Sequence, residues 1–126
     1  VLTNQAEIQA LKELIAATAQ RVGSFFFGYN NPQAVILVSN DQRNPSSIQD
    51  SACAVENILL AATSFGLGAT WINALRTICD EPEIRTKLDE YGIPQTHTVW
   101  STIVLGWPAK EPKPIVKNPN VVHFVD

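Results

Sequence analysis

The stretch from Asp50 to Ala74 constrains the fold of this chain more than any other, because it reads as a helix that runs through a Gly-x-Gly turn straight into a strand. Ile48, Ala52, Val55, Ile58, Leu59, Ala62 and Phe65 recur at helical spacing and predict one apolar face. Ser47 is the expected N-cap, and Asp50 sits in the first turn, where a carboxylate suits the positive helix end. Gly66 supplies a left-handed cap, after which Thr70 to Ala74 reads as a short strand.

The flanking segments alternate in the same way. Residues Asn4 to Gln20 carry Ile8, Leu11, Leu14, Ile15 and Thr18 at helical spacing, with Glu7, Lys12 and Glu13 on other faces. Gln33 to Ser39 is a short, largely β-branched apolar run and predicts a central strand buried on both faces. Asp80-Glu-Pro-Glu83 predicts a helix start, with Asp80 as cap and Glu83 at the capping-box position. Its stripe is Ile84, Leu88 and Tyr91, and Glu81 to Arg85 and Glu83 to Lys87 are spaced as ion pairs. Thr98 to Leu105 predicts another strand, and Val121 to Val125 a last, isolated one. Alternating helices and strands without a repeat or linker predict a single α/β or α+β domain.

At 126 residues, with 45% hydrophobic content, the chain has enough material for a real core. A net charge of -3 without a dense basic cluster argues against nucleic acid or an anionic membrane as partner. The apolar runs are too short to span a bilayer, and the start lacks a signal-peptide pattern, so a cytoplasmic protein is expected. Cys53 and Cys79 fit no Cys-x-x-Cys motif and no metal-ligand spacing, so they are expected to be reduced thiols and no metal is expected.

The central segment, Gly66-Leu-Gly68, Trp71-Ile72, Pro82-Glu-Ile84 leading to Gly92-Ile-Pro94, Leu105-Gly-Trp-Pro108 and Lys117-Asn-Pro-Asn-Val-Val-His-Phe124 follow one another in an order and spacing that resembles the FMN-dependent nitroreductase family. The resemblance runs from about Gln33 to the carboxyl end and more weakly back to Val1. It implies an α+β sandwich with a mainly antiparallel sheet flanked by helices. It also implies a homodimer whose final strand, here Val121 to Val125, is exchanged with the partner subunit. The cofactor implied is FMN with NAD(P)H as cosubstrate, and the activity is two-step, ping-pong hydride transfer to nitroaromatic, quinone or similar electron-poor acceptors.

Within that family the amides of Asn73 and Ala74, flanked by Trp71 and Ile72, correspond to groups beside flavin N5, and Lys117, with Lys113 assisting, to the phosphate contact. Relatives usually carry Arg at the Lys117 position, and a lysine offers a point charge rather than a fork. The resemblance singles out no catalytic side chain. Read from the residues alone, Trp71 to Ala74 is equally a core strand, and Lys117 a solvated tail lysine. Phe25, Phe26, Phe27 and Tyr29 line an acceptor channel or, as the better reading, pack an interface. Glu56 and Asn57 read as structural polar residues, and His97 and His123 lack partners at triad spacing.

Two family stretches, Arg-x-Ser-x-Arg and Ser-x-x-Asn-x-Gln-Pro, do not occur in these residues, which begin at Val1 and contain no Met. The expectation is therefore one nitroreductase-like domain over residues 1–126 that lacks the amino-terminal flavin-binding segment. A non-catalytic flavin-binding or regulatory dimer is the alternative function, and a dimerisation module without flavin a third.

Overall fold

The computed structural model describes residues 1–111, 113–117, 121–123 and 125. Its elements, in order, are α1 (Gln5–Val22), β1 (Ala34–Asp41), α2 (Ser47–Ser64), β2 (Gly68–Ile72), α3 (Ala74–Ile78), α4 (Pro82–Glu90) and β3 (His97–Gly106). The strands form one antiparallel sheet in the order β1-β3-β2. Helix α2 contacts all three strands, whereas α1 packs on both α3 and α4, and α3 lies against β3.

Helix α1 begins where expected. The Asn4 side chain accepts hydrogen bonds from the backbone N-H groups of Ala6 and Glu7, satisfying two donors that the first turn leaves unpaired. Its apolar stripe, Ile8, Leu11 and Ile15, meets Val35, Leu75, Ile78, Ile84, Leu88 and Val99 in the main core. Full burial of such aliphatic side chains contributes about 1.5 to 3 kcal/mol each.

The central strand is β3, not the apolar run at Gln33 to Ser39. Among the described residues strand β1 is an edge of the sheet, bridged on its outer side by Leu2 at Val35 and half-buried over most of its length. Strand β3, hydrogen-bonded on both sides, buries Thr98, Ser101 and Thr102 along with Val99 and Ile103. A bulge between Val38 and Ser39 shifts the β1-β3 register.

Helix α2 is capped by Ser46 rather than Ser47, which is buried. Of the expected apolar face, Val55 and Ala62 are buried, but Phe65 follows the helix end and is 74% exposed. Gly66 adopts the left-handed cap, with φ 69°. The strand expected at Thr70 to Ala74 begins and ends earlier, at Gly68–Ile72, because Ala74 already opens α3.

Helix α4 starts after Glu81, with Pro82 in the first turn and no side-chain cap. The expected i,i+4 pairs along it are replaced by pairs to α1 and by other local ones. Arg21 of α1 takes Glu81 and Glu83, Arg85 takes Asp80 at 2.8 Å, and Lys87 bridges Glu7 and Glu90 at 2.9 and 2.8 Å. Glu81 and Glu83 turn to Arg21 on α1, which leaves Arg85 to Asp80 and Lys87 to Glu7 and Glu90. Val121 to His123 and Val125 are exposed and belong to no strand, while Phe124 lies outside the described residues.

Candidate functional site

A cleft of about 840 Å³ opens between the loop from Ser24 to Gln33 on one side and β2, the start of α3 and the end of β3 on the other. That volume falls within the range typical of small-molecule and cofactor sites. Strand β2, among the described residues an edge of the sheet paired with β3, lines the cleft along its whole length. At the far end Gly68 lies opposite Gly106, and a side chain at Gly68 would touch the Gly106 carbonyl oxygen at 3.5 Å and the Pro108 Cα at 3.8 Å.

Trp71, Ile72, Asn73 and Ala74 all line this cleft. Alternation along the strand separates their side chains: Trp71 is 41% exposed, whereas Ile72 packs against the main core. Asn73 breaks the strand, with φ -106° and ψ 9°, and its carbonyl accepts the first hydrogen bond of α3 from the Arg76 N-H at 3.1 Å. Among the described residues the backbone N-H groups of Asn73 and Ala74 find no acceptor, as the first turn of a helix requires. Two free donors therefore stand next to each other in the chain at the cleft.

The opposite wall is held at both ends. Ser24 N-H donates to the Ala19 carbonyl at 2.8 Å and the Ser24 and Thr77 hydroxyls meet at 3.1 Å, while Gln33 N-H donates to Leu105 O at 2.7 Å. Between these anchors the chain turns through two left-handed residues, Gly28 at φ 81° and Asn31 at φ 46°. Phe26 meets the buried Tyr29 edge to face at 5.2 Å, and burial pushes the Tyr29 phenol far up. Phe25 and Phe27, in edge contact at 4.2 Å, stay 68% and 89% exposed. The aromatic segment is thus half core and half open wall.

Lys113 and Lys117 are exposed and do not line the cleft. Residues that the sequence did not point to as a site are Asn30 to Gln33, Thr70, Thr77 and Leu105 to Trp107. The Asn-Asn-Pro turn and the Gly106-Trp-Pro108 closure were visible as chain-stoppers, but that they face one another is a fact of topology.

Two polar groups away from the cleft are held by neighbours in the fold. Cys79 is buried at the core, with its thiol pushed up by burial and the Arg85 guanidinium 3.0 Å away. Ser39 and His97 share a cross-strand hydrogen bond of 3.2 Å. Among the described residues no group of His, Cys, Asp and Glu is arranged to hold a metal ion, and no helix is long and apolar enough to cross a membrane.

A sequence model of the nitroreductase family matches residues 2–107. A protein of Archaeoglobus fulgidus, named as a candidate NADH dehydrogenase/NAD(P)H nitroreductase, is 33% identical over 95 residues, covering 70% of this chain and 53% of that protein. A Methanothermobacter thermautotrophicus protein with the same name is 42% identical over 65 residues, covering 52% of this chain and 32% of its own length. The chain thus spans about half the length of the first curated relative and a third of the second. Among solved structures, a Bacteroides fragilis nitroreductase with bound FMN superposes with a TM-score of 0.86 at 30% identity, covering 99% of this chain and 73% of that one.

Proposed function

The chain belongs to the nitroreductase family, and from that premise we propose that it works as an FMN-dependent oxidoreductase that uses NAD(P)H to reduce electron-poor acceptors such as nitroaromatics and quinones. The observation that carries this reading is the cleft on the free edge of β2, where Trp71 to Ala74 supply an aromatic side chain, an apolar backing and two unpaired amide donors. A flat heteroaromatic ring suits such a place, since its edge needs donors and its faces need apolar cover. FMN, when bound, supplies the redox chemistry, NAD(P)H being the reductant and the acceptor taking its turn in the same cleft as a second, ping-pong half-reaction.

This chain's residues then have distinct tasks. The amides of Asn73 and Ala74 would donate to the flavin, Ile72 fixes that backbone by its anchorage in the core, and Trp71 would give the ring apolar contact. Lys117, assisted by Lys113, meets the phosphate; both are exposed cations on the segment that leaves the cleft after Trp107. We take the active form to be a homodimer, a reading supported by apolar side chains that α2 and its C-cap turn to solvent, with Leu60 at 60% and Phe65 at 74% exposed. The unpaired Cys53 and Cys79 support a reducing, cytoplasmic setting.

The test is a titration of the purified protein with FMN, followed by flavin fluorescence and the visible bands. Saturable quenching with a shifted band supports the reading, and free-flavin behaviour at all protein concentrations refutes it. Bound flavin that NAD(P)H leaves oxidised would instead support a non-catalytic flavin-binding dimer.

A further inference from the structure

A chain of hydrogen bonds made by side chains ties the two sides of the cleft together. Thr77 on α3 donates its one hydroxyl proton to the Ala74 carbonyl oxygen at 3.2 Å, which leaves its oxygen to accept from the Ser24 hydroxyl at 3.1 Å. Ser24 is itself fixed to the end of α1, its N-H donating to the Ala19 carbonyl at 2.8 Å. Ser24, Ala74 and Thr77 all line the cleft, and Phe25, the first aromatic residue of the wall, follows Ser24 directly. On its other side α3 is anchored in the core by Leu75 and Ile78. The tie at the far end of the loop, from Gln33 to Leu105, is made by backbone.

We propose that Ser24 and Thr77 are positioning residues for the flavin, their hydroxyl pair clasping the aromatic wall to Ala74 and setting the spacing of the slot that takes the ring. The inference rests on the reading of the cleft as the flavin site and deepens it by naming what holds its two sides in register. In the empty cleft water competes for both hydroxyls, so the bond between them contributes little there. A ring seated against Trp71 to Ala74 would displace that water, and losing the bond would then leave the Ser24 hydroxyl without a partner in a drier place. A contact strengthened when the cleft is filled contributes to affinity rather than to the stability of the empty protein. That difference separates a clasp from an ordinary structural bond.

The experiment titrates FMN into the wild type, Thr77→Val, Ser24→Ala, the double variant and Thr77→Ser, reading flavin fluorescence, and records the melting temperature of each without flavin. Thr77→Val keeps the shape of the side chain and deletes its hydroxyl. It and Ser24→Ala are each expected to weaken FMN binding about threefold to tenfold. The double variant is expected to be no weaker than either single one, because the two hydroxyls act as a unit. Thr77→Ser, which keeps the hydroxyl, should stay within about twofold of the wild type, and the flavin-free melting temperatures should agree within about 3 °C. Wild-type affinity in Thr77→Val and Ser24→Ala, losses that add in the double variant, or melting temperatures that fall in step with affinity would overturn the proposal and leave the flavin reading standing. A wild type that holds no FMN would sink that reading and this proposal with it.

Discussion

At the scale of single residues, Asn73 is where backbone geometry and proposed chemistry meet. Its N-H has no acceptor among the described residues, and Ile72 before it is an extended strand residue, the conformation a following proline prefers. Asn73→Pro therefore removes a donor with little damage, needing φ to relax from -106° toward the proline value. FMN reduction by NADH should slow at least about tenfold if that amide meets the flavin; an unchanged stopped-flow rate would exclude it. Lys117→Ala should weaken FMN binding by roughly tenfold, the loss of one charge-assisted contact. Equal FMN affinity for wild type and variant would remove Lys117 from the site. The Trp71 to Ala74 cluster was legible in the sequence because the family pattern is local there. Its partners across the cleft, such as Phe27 and Asn30, were not, because their placement depends on two left-handed turns at Gly28 and Asn31.

At the scale of elements, sequence and structure agree where local chemistry decides and part where topology does. The Asn4 end of α1, the Gly66 cap and the stripe Ile84-Leu88 could all be read directly, since capping and periodicity act within a few residues. The centre of the sheet could not. The most apolar run became the edge strand β1, and the central strand β3 hides Thr98, Ser101 and Thr102 in its buried length. Hydroxyl side chains lowered its apparent apolarity, although what fixed its place was pairing with strands on both sides. Two predictions belong here. Gly66→Ala should destabilise the protein by about 1 kcal/mol, because φ 69° is costly for alanine while the site has open space for its methyl group. Leu88→Ala, at a fully buried position, should cost about 2 to 5 kcal/mol by leaving a cavity. Urea unfolding midpoints measure both, and equal losses would contradict the distinction between backbone strain and core packing.

At the scale of the whole molecule, ion pairs link α1 to α4 and, with the local Asp41–Arg43 pair and Tyr91, contribute to the pH dependence of stability. Lys87 and then Tyr91 hold the Glu7 carboxyl below its usual range, Arg43 does so for Asp41, and Glu83 is lowered by its own backbone amide and by Arg21. A carboxylate depressed in the folded state stabilises above its unfolded pKa, so stability should fall as the pH drops below about 4. At the alkaline end Tyr91 is pushed up to about 12 by burial and by its hydrogen bond to Glu7, and Lys87 is raised by Glu90 and Glu7. The unfolded chain releases those protons first, so stability should also fall above about pH 10. A thermal-melting series across pH checks this, and Glu7→Gln should flatten the acid limb; an acid limb as steep as in the wild type would deny Glu7 that role.

The most direct test of the central claim is the anaerobic visible spectrum of the FMN-loaded protein as NADH is added, followed by a nitroaromatic or quinone. The proposed chemistry requires the flavin band to bleach with NADH and return with the acceptor. A bound flavin whose band is unmoved by NADH and NADPH alike would contradict it.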